Sequence, residues 1–536
     1  MKLTENFIAN INRDFGDDID VDRFIRSFDE SPVHGILVNA LKISVDEFTD
    51  VFPVATARIP WAKEGLYVGS SAKVGKRGAL EKKNNTDEAD RVNGLGAHPY
   101  HYAGLYYIQE PSAMIPAIML DAKPGESILD LCAAPGGKTI KIAMDMRGNG
   151  LLISNEINAV RVRPLVKNIE RLGLENTMVL NEKPEKLKKL FPAFFDRILV
   201  DAPCSGEGMF RRNERNIKDM GRYDSESCAK IQLSLLEDAS EMLKSGGRLV
   251  YSTCTFSIAE NEMLISKFLD IHKDFSIVDG HNYFPVGSGI SHGKNIAPYL
   301  MNGDIAHDLM KNGMTHDLTK NGMTHDLPKN SMTHDMIKRD IAHDLTKAVR
   351  IWPHLASGEG HFSVAMTKGV STNDTLHSSA AYTDEEQFLD FDNQMLEEAF
   401  LQFENDHLIY KLCGYFFNLG NYIYSLPKPS VIKSVISSDL TIAKYGRFIG
   451  EFSRKENRVT PSHSLLLSLN KGQVKNTVHM ELSDPRIERY LKGETIESEK
   501  HRSLAAISVD GYYLGWGKCS DGFIKNLYPK GWRKMR

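Results

Sequence analysis

SILDLCAAPGGKTIKIAMD, residues 127 to 145, reads as a buried strand that passes through a glycine turn into a helix. Everything around it repeats that alternation. LLISNE (151–156) is a second strand, and VRPLVKNIERLG (162–173) has helical spacing with a glycine stop. TMVLNE, RILVDA and GRLVYSTCTF are three more strands, with helices between them. Strands alternating with helices predict a parallel sheet covered on both faces, so residues 105–368 are expected to form a doubly wound α/β core.

The chain has 536 residues, too many for one hydrophobic core, so several domains are expected. Residues 1–104 read as a mixed α/β region ending in an exposed polar stretch, ALEKKNNTDEADRVNG. Residues 369–385 read as a polar linker and 386–480 as a second mixed region. Residues 481–536 end in strand-like, glycine-punctuated sequence, which reads as a small β-rich module. No apolar run is long enough to span a bilayer, and the start has no basic-then-apolar signal, so a cytoplasmic protein is expected. The net charge of -4 gives no global sign of nucleic-acid binding. Locally, YPKGWRKMR (528–536) mixes basic and aromatic residues suited to phosphates and bases, but from that stretch alone a solvated, frayed terminus is the favoured reading.

Residues 304–347 repeat a nine-residue unit in which a His-Asp pair recurs at 307, 316, 325, 334 and 343. A metal array is the sharp reading. On a helix or a strand, however, a step of nine turns successive histidines to opposite sides. The repeat is therefore expected to be a low-complexity insertion, and no metal is expected.

LDLCAAPGGKT (129–139) is a turn in which backbone can approach a ligand closely. A phosphate-binding P-loop would need glycine where Cys132 stands, and the GxGxxG dinucleotide fingerprint is missing. S-adenosylmethionine needs such a turn but no pyrophosphate cradle. Glu156 ends the next strand, at the spacing where an acid holds ribose hydroxyls; a helix N-terminal charge is the plainer reading of that residue alone, and the glycine turn before it favours the ribose role.

The cysteines at 132, 204, 228, 254, 413 and 519 contain no CxxC pair and no disulfide-like density. ILVDAPCSGEGMF (198–210) puts Asp201 and Cys204 just past a strand, and GRLVYSTCTF puts Cys254 past another. One cysteine at a strand end is more often packing. Two, with an aspartate, at the carboxyl ends where α/β sheets bind ligands point to chemistry. Carbon 5 of a pyrimidine is a poor nucleophile. A thiolate that adds to carbon 6 makes carbon 5 able to take a methyl group, which is a task for covalent catalysis. The residues alone leave open which thiol attacks.

LDLCAAPGGKT, DAPCSGEG and YSTCT together resemble the motifs of RNA cytosine-5 methyltransferases, in the family's order. RIWPHLASGEGHF (350–362) looks like the family's late core motif. LGWGK and NLYPKGW look like the PUA-like RNA-binding module of the bacterial branch, F type, that modifies small-subunit 16S ribosomal RNA. The resemblance implies a Rossmann-like, class I methyltransferase core, an RNA-binding N-terminal region and a PUA-like module over 481–536. It implies Cys254 as the nucleophile, and Cys204 as the thiol that assists proton removal or release of the product. Asp201 would contact the cytosine edge and lie near the cofactor methyl, and Lys138 would orient the base. Cys132, Ala133, Ala134, Pro135, Gly136, Gly137, Lys138, Glu156 and Asp201 would hold S-adenosylmethionine. The implied partner is ribosomal RNA or the small ribosomal subunit, met by a monomer without a membrane. Transfer RNA is the second substrate expected of this chemistry, and a non-catalytic ribosome-assembly factor is the reading from another class. Relatives carry an aspartate for the adenine side where this chain reads VLNEKPEK, with Asn181, Glu182 or Lys183 in that neighbourhood. The arginines of MFRRNERN (209–216) are expected to clamp phosphates, and the target cytosine is expected to leave its stack.

Overall fold

The structure, a computed structural model, describes residues 3–52, 55–68, 73–74, 80–81, 94–212, 225–296, 343–370, 387–427, 435–498 and 503–534. The chain divides into two compact units, Met1–Pro32 with Val200–Thr372 and Val33–Leu199 with Asn373–Arg536. The chain passes from one to the other inside the strand Phe195–Asp201.

In the unit Val33–Leu199 with Asn373–Arg536, the strands Ser127–Asp130, Leu151–Asn155 and Thr177–Leu180 are buried along their whole length. Such runs suit a parallel sheet, and the pairing is parallel throughout, with Leu129 opposite Ile153, Ile153 opposite Met178 and Arg197 opposite Ile128. Ser127–Asp130 therefore has Leu151–Asn155 on one side and Phe195–Asp201 on the other. The strand order reverses at that point, where open α/β sheets bind ligands at their carboxyl ends. The helix Ala159–Leu172 starts where the Asn158 side chain accepts from the backbone of Val160 and Arg161. It stops at Gly173, whose φ of 72° is the left-handed turn a glycine permits. This is the doubly wound, Rossmann-like core that the alternation predicts.

Besides a two-stranded pair, Lys73–Val74 with Leu80–Glu81, three further sheets belong to the unit among the described residues. An antiparallel sheet in the order Ala55–Arg58, Gly65–Val68, Gly35–Val38, Tyr106–Ile108 precedes the parallel strands. The C-terminal module orders Thr477–Met480, Ser503–Val509, Tyr512–Ser520, Phe523–Asn526 and Ile496–Glu497. These two sheets share one apolar core, in which Ile36, Phe48 and Tyr106 pack with Tyr490, Leu514 and Ile524. The Tyr100 hydroxyl donates to Asp510, 2.6 Å away, across the same junction. Residues 387–461 carry the third sheet and the helix Gln394–His407. From that segment the strand Ile442–Tyr445 leaves to pair antiparallel with Thr177–Leu180.

In the unit Met1–Pro32 with Val200–Thr372, Leu243–Thr253 pairs antiparallel with His361–Lys368. Val349–Ile351 and Phe275–Val278 pair with that second strand. The helices Glu5–Phe15 and Val21–Ser27 complete an aromatic core. Phe7 meets Phe210 at 5.4 Å between ring centroids, and Phe24 meets Phe256 at 5.0 Å and Trp352 at 5.3 Å. Of the nonapeptide repeat, residues 304–342 lie outside the described residues. His343 is described, with Nε2 3.2 Å from Asp270 Oδ1. Among the described residues no helix is long and apolar enough to cross a membrane, and no group of three or more potential ligands could hold a metal ion.

Candidate active site

Strand ends place the cysteines. Phe195–Asp201 ends at Asp201, and Leu243–Thr253 ends one residue before Cys254. Ala202 N–H donates to Ser252 C=O at 2.9 Å, so the two chain ends leave the sheet side by side. Cys204 Sγ and Cys254 Sγ come within 3.4 Å, 50 residues apart in the chain. Asp201 Oδ1 accepts from Ser252 Oγ at 2.7 Å and lies 3.9 Å from His361 Nε2. The hydrogen bond to Cys254, together with burial, pushes the Cys204 thiol well up.

The loops bearing the thiols are tied to each other from below. Glu207 Oε2 accepts from Thr255 Oγ1 at 2.8 Å and from Phe256 N–H at 3.1 Å. Gly208 N–H donates to Cys254 C=O at 2.8 Å. A Cβ on Gly208 would stand 2.4 Å from Gly360 O, so only glycine lets these segments approach so closely. A second buried carboxylate, Glu260, accepts from Ser205 N–H at 3.1 Å and from Gln232 Nε2 at 2.9 Å. Gln232 also reaches Pro203 C=O, one residue before Cys204.

Glu207 gives this scaffold a pH dependence. Burial pushes its carboxyl up to about 7, against the opposing hydrogen bond from Thr255 and with the charge of Glu260 adding to the rise. Between pH 4.5 and 7 the folded chain holds a proton that the unfolded chain has lost. The stability this group contributes therefore falls as pH rises through that window and is level above it. Glu207→Gln has no such slope. Relative to wild type, its stability is expected to rise by about 3 kcal/mol between pH 4.5 and pH 8. Denaturant midpoints at the two pH values check this, and a difference that stays constant with pH would contradict it.

In the other unit, residues 132–138 form the turn from the strand Ser127–Asp130 into the helix Gly137–Asp145. Gly136 has φ 112°, a conformation that L side chains rarely adopt. A Cβ on Gly137 would stand 2.9 Å from the Gln109 amide. Thr139 Oγ1 donates to the buried Asp130 at 2.6 Å, which fixes the start of the helix. Arg161 braces the turn: it donates to Ala134 C=O at 2.6 Å and pairs with Glu156 at 3.2 Å. Asn168 donates to Pro135 C=O at 3.0 Å. Glu156 is buried at the end of Leu151–Asn155, and its Oε1 accepts from Asn158 N–H at 2.9 Å. It thus caps the following turn, as the plainer reading of that residue has it, while remaining beside the glycine turn through Arg161. Asn181 Nδ2 is committed to Glu156 C=O and Ile157 C=O, and Glu182 to Thr441 N–H and Lys186. A turn with two adjacent glycines, followed by a buried carboxylate at the next strand end, offers groups that suit S-adenosylmethionine.

The structure thus gathers Asp201, Cys204 and Cys254, and separately gathers 132–138 with Glu156. For Arg211 and Arg212 it corrects the reading of MFRRNERN as a phosphate clamp. Arg211 Nε pairs with Glu359 Oε2 at 2.9 Å and Arg212 Nε with Glu359 Oε1 at 3.3 Å, and Glu359 is 1% exposed. Arg211 donates further to Gly358 C=O and Ser27 C=O. These two arginines neutralise a buried carboxylate that would otherwise be unpaired. Arg215 lies outside the described residues. Ser252, Glu207, Glu260 and Gln232 were not singled out from sequence. Glu207 stands within DAPCSGEG and Ser252 within YSTCT, so motif membership was the available signal for both. The described part of the tail, 528–534, is not frayed either: Tyr528 is buried, and Lys534 N–H donates to Leu491 C=O at 3.0 Å.

Residues 117–367 match the family model described as 16S rRNA methyltransferase RsmB/F. Residues 3–111 match the N-terminal domain of 16S rRNA methyltransferase RsmF, and residues 477–534 match the methyltransferase RsmF PUA domain. The ribosomal RNA small subunit methyltransferase F of Erwinia tasmaniensis is 34% identical over 273 residues, 50% of this chain and 54% of its own length. The protein of the same name from Vibrio vulnificus is 37% identical over 268 residues, 49% of this chain and 53% of its own. The chain spans about half the length of the curated relatives it matches. A solved structure of a methyltransferase homolog protein from Pyrococcus horikoshii aligns with 68% of this chain and 95% of its own at 27% identity, with a TM-score of 0.48.

Proposed function

The chain belongs to the 16S rRNA methyltransferase RsmB/F family, and from that premise we propose that it methylates carbon 5 of cytosine in 16S ribosomal RNA through a covalent cysteine adduct. The observation that carries the reading is the pair of thiols 3.4 Å apart at two strand ends, beside Asp201. Methylation at nitrogen or oxygen needs no thiol, and methylation at pyrimidine carbon 5 needs one to attack and a proton to be moved.

Cys254, as thiolate, adds to carbon 6 of the flipped cytosine. The sulfur–carbon bond forms, and the electron pair of the C5–C6 double bond moves to carbon 5. S-adenosylmethionine, held when bound by residues 132–138 and Glu156, supplies an electrophilic methyl group. Asp201 bonds the polar edge of the base and stabilises the activated ring. Lys138, on the first turn of the helix after the glycine turn, orients the base. Removal of the C5 proton and cleavage of the sulfur–carbon bond then restore the double bond and free Cys254. Cys204, 3.4 Å from Cys254, assists release by giving a proton to the Cys254 sulfur as it leaves carbon 6, while a base takes the C5 proton. In this reading residues 105–368 carry cofactor and chemistry around the insertion 304–347. Residues 1–104 and 481–536 hold RNA, and 386–480 form a first C-terminal domain joined by the linker 369–385.

The test is transfer of labelled methyl from S-adenosylmethionine to purified small ribosomal subunits, free 16S RNA and transfer RNA. Label recovered as 5-methylcytosine in 16S RNA is the expected result. Label on transfer RNA would keep the chemistry and overturn the substrate. No label on any of the three, with S-adenosylmethionine bound, would favour a binding factor without catalysis.

A further inference from the structure

The helix Ala159–Leu172 carries cations at Arg163, Lys167 and Arg171, a spacing of four that stacks them on one face. Like charges so placed repel, which makes the arrangement unfavourable for the helix by itself. Elsewhere the chain neutralises such groups: Arg197 has Glu126, Arg350 has Glu262, and Arg211 has Glu359. Among the described residues the stripe is not treated this way. Arg171 is 3% exposed, yet its bonds go to the carbonyls of His101 and Tyr106 and to the Asn168 side chain. Lys167 is exposed, donates to Gly531 C=O at 3.5 Å and sits 5.5 Å from the centre of the Trp532 ring. Arg163 is exposed one turn further along. Lys42 adds a fourth cation, bonded to Ala103 C=O. The field is felt by its neighbours: burial and then Arg171 lower Lys42 to about 7, and the same two causes lower Lys167.

We infer that the exposed Arg163 and Lys167 of Ala159–Leu172, with Trp532 beside Lys167 and the buried Arg171 adding positive charge behind them, bind the phosphodiester backbone of an RNA strand. The inference rests on the RNA-substrate reading above and gives that substrate a contact on the core helix that braces the cofactor turn. Arg163 and Lys167 stand about 6 Å apart along the helix axis, which suits neighbouring phosphates of one strand. The partner is recognised by charge: a polyanion supplies the counter-charges that the fold withholds, and Trp532 offers an aromatic ring beside them for a base. A solvated charged face would not need a tryptophan packed beside its lysine.

The test is binding of a fluorescent single-stranded RNA to the full chain at several salt concentrations. The comparison is wild type against Arg163→Gln/Lys167→Gln, with Lys167→Arg as the charge-retaining control. Two lost phosphate contacts should reduce the salt slope of log affinity by about 1.4. At moderate salt the affinity should fall roughly tenfold, Lys167→Arg should bind as wild type, and the melting temperature of the double variant should not drop. Wild-type slope and affinity in the double variant, while wild type still methylates RNA, would overturn this inference and leave the proposed function standing. A wild-type chain that neither binds nor methylates RNA would overturn both.

Discussion

Cys254→Ala is expected to abolish methyl transfer, with a loss on the order of 10⁴-fold or more, because it removes the thiol assigned to form the bond to carbon 6. Cys204→Ala is expected to fail differently. Attack and methylation proceed, but resolution is impaired, so protein and RNA accumulate as a covalent complex that survives denaturing gel electrophoresis. The two outcomes separate the roles of thiols that are otherwise near-equivalent in position, at 3.4 Å. A Cys204→Ala variant that turns over normally, or a Cys254→Ala variant that forms the adduct, would reverse the assignment. Full retention of biological function by Cys254→Ala would point to a role in binding alone.

The second large effect is on stability. Arg350 and Glu262 form a two-point ion pair, Nε to Oε1 and Nη2 to Oε2, both at 2.6 Å. The side chains are 2% and 0% exposed. The guanidinium lies 4.7 Å from the centre of the Phe15 ring and 5.3 Å from that of Phe362, and Nη1 donates to Phe256 C=O. Glu262→Ala leaves that charge buried without its counter-ion and is expected to cost about 3–5 kcal/mol. Urea denaturation reads this directly. Glu262→Leu with Arg350→Met removes both charges and should recover most of the loss. If the double variant were as unstable as Glu262→Ala, packing rather than the unpaired charge would be the cause.

The parallel core was legible because its signals are local. Four buried strands of four to seven residues, a glycine turn at 136–137 and a glycine stop at 173 each announce themselves within a short window. The site was legible by a topological rule, since strand ends gather residues whose sequence separation says nothing. What failed to show depended on partners far along the chain. Arg211 read as a free cation because Glu359 stands 148 residues away. The shared core of the first antiparallel sheet and the C-terminal module was invisible, since alternation tells that Tyr106 and Leu514 face inward but not that they face each other. Ile442–Tyr445 read as part of a separate region, whereas its backbone completes the edge beside Thr177–Leu180, with a register shift no pattern announces. Glu207 was passed over because a lone glutamate is ordinarily a surface residue.

The aromatic core of the unit Met1–Pro32 with Val200–Thr372 has a consequence for synthesis. Phe7 and Phe24 emerge from the ribosome early, but Phe210, Phe256 and Trp352 do not exist yet. Ser27 and Arg211, which meet in the finished protein, are 184 residues apart. At 5–20 residues per second the first two helices wait on the order of 10–40 s with their apolar faces bare. Over that interval the nascent chain is a substrate for any chaperone that reads exposed phenylalanine, long before it is a protein.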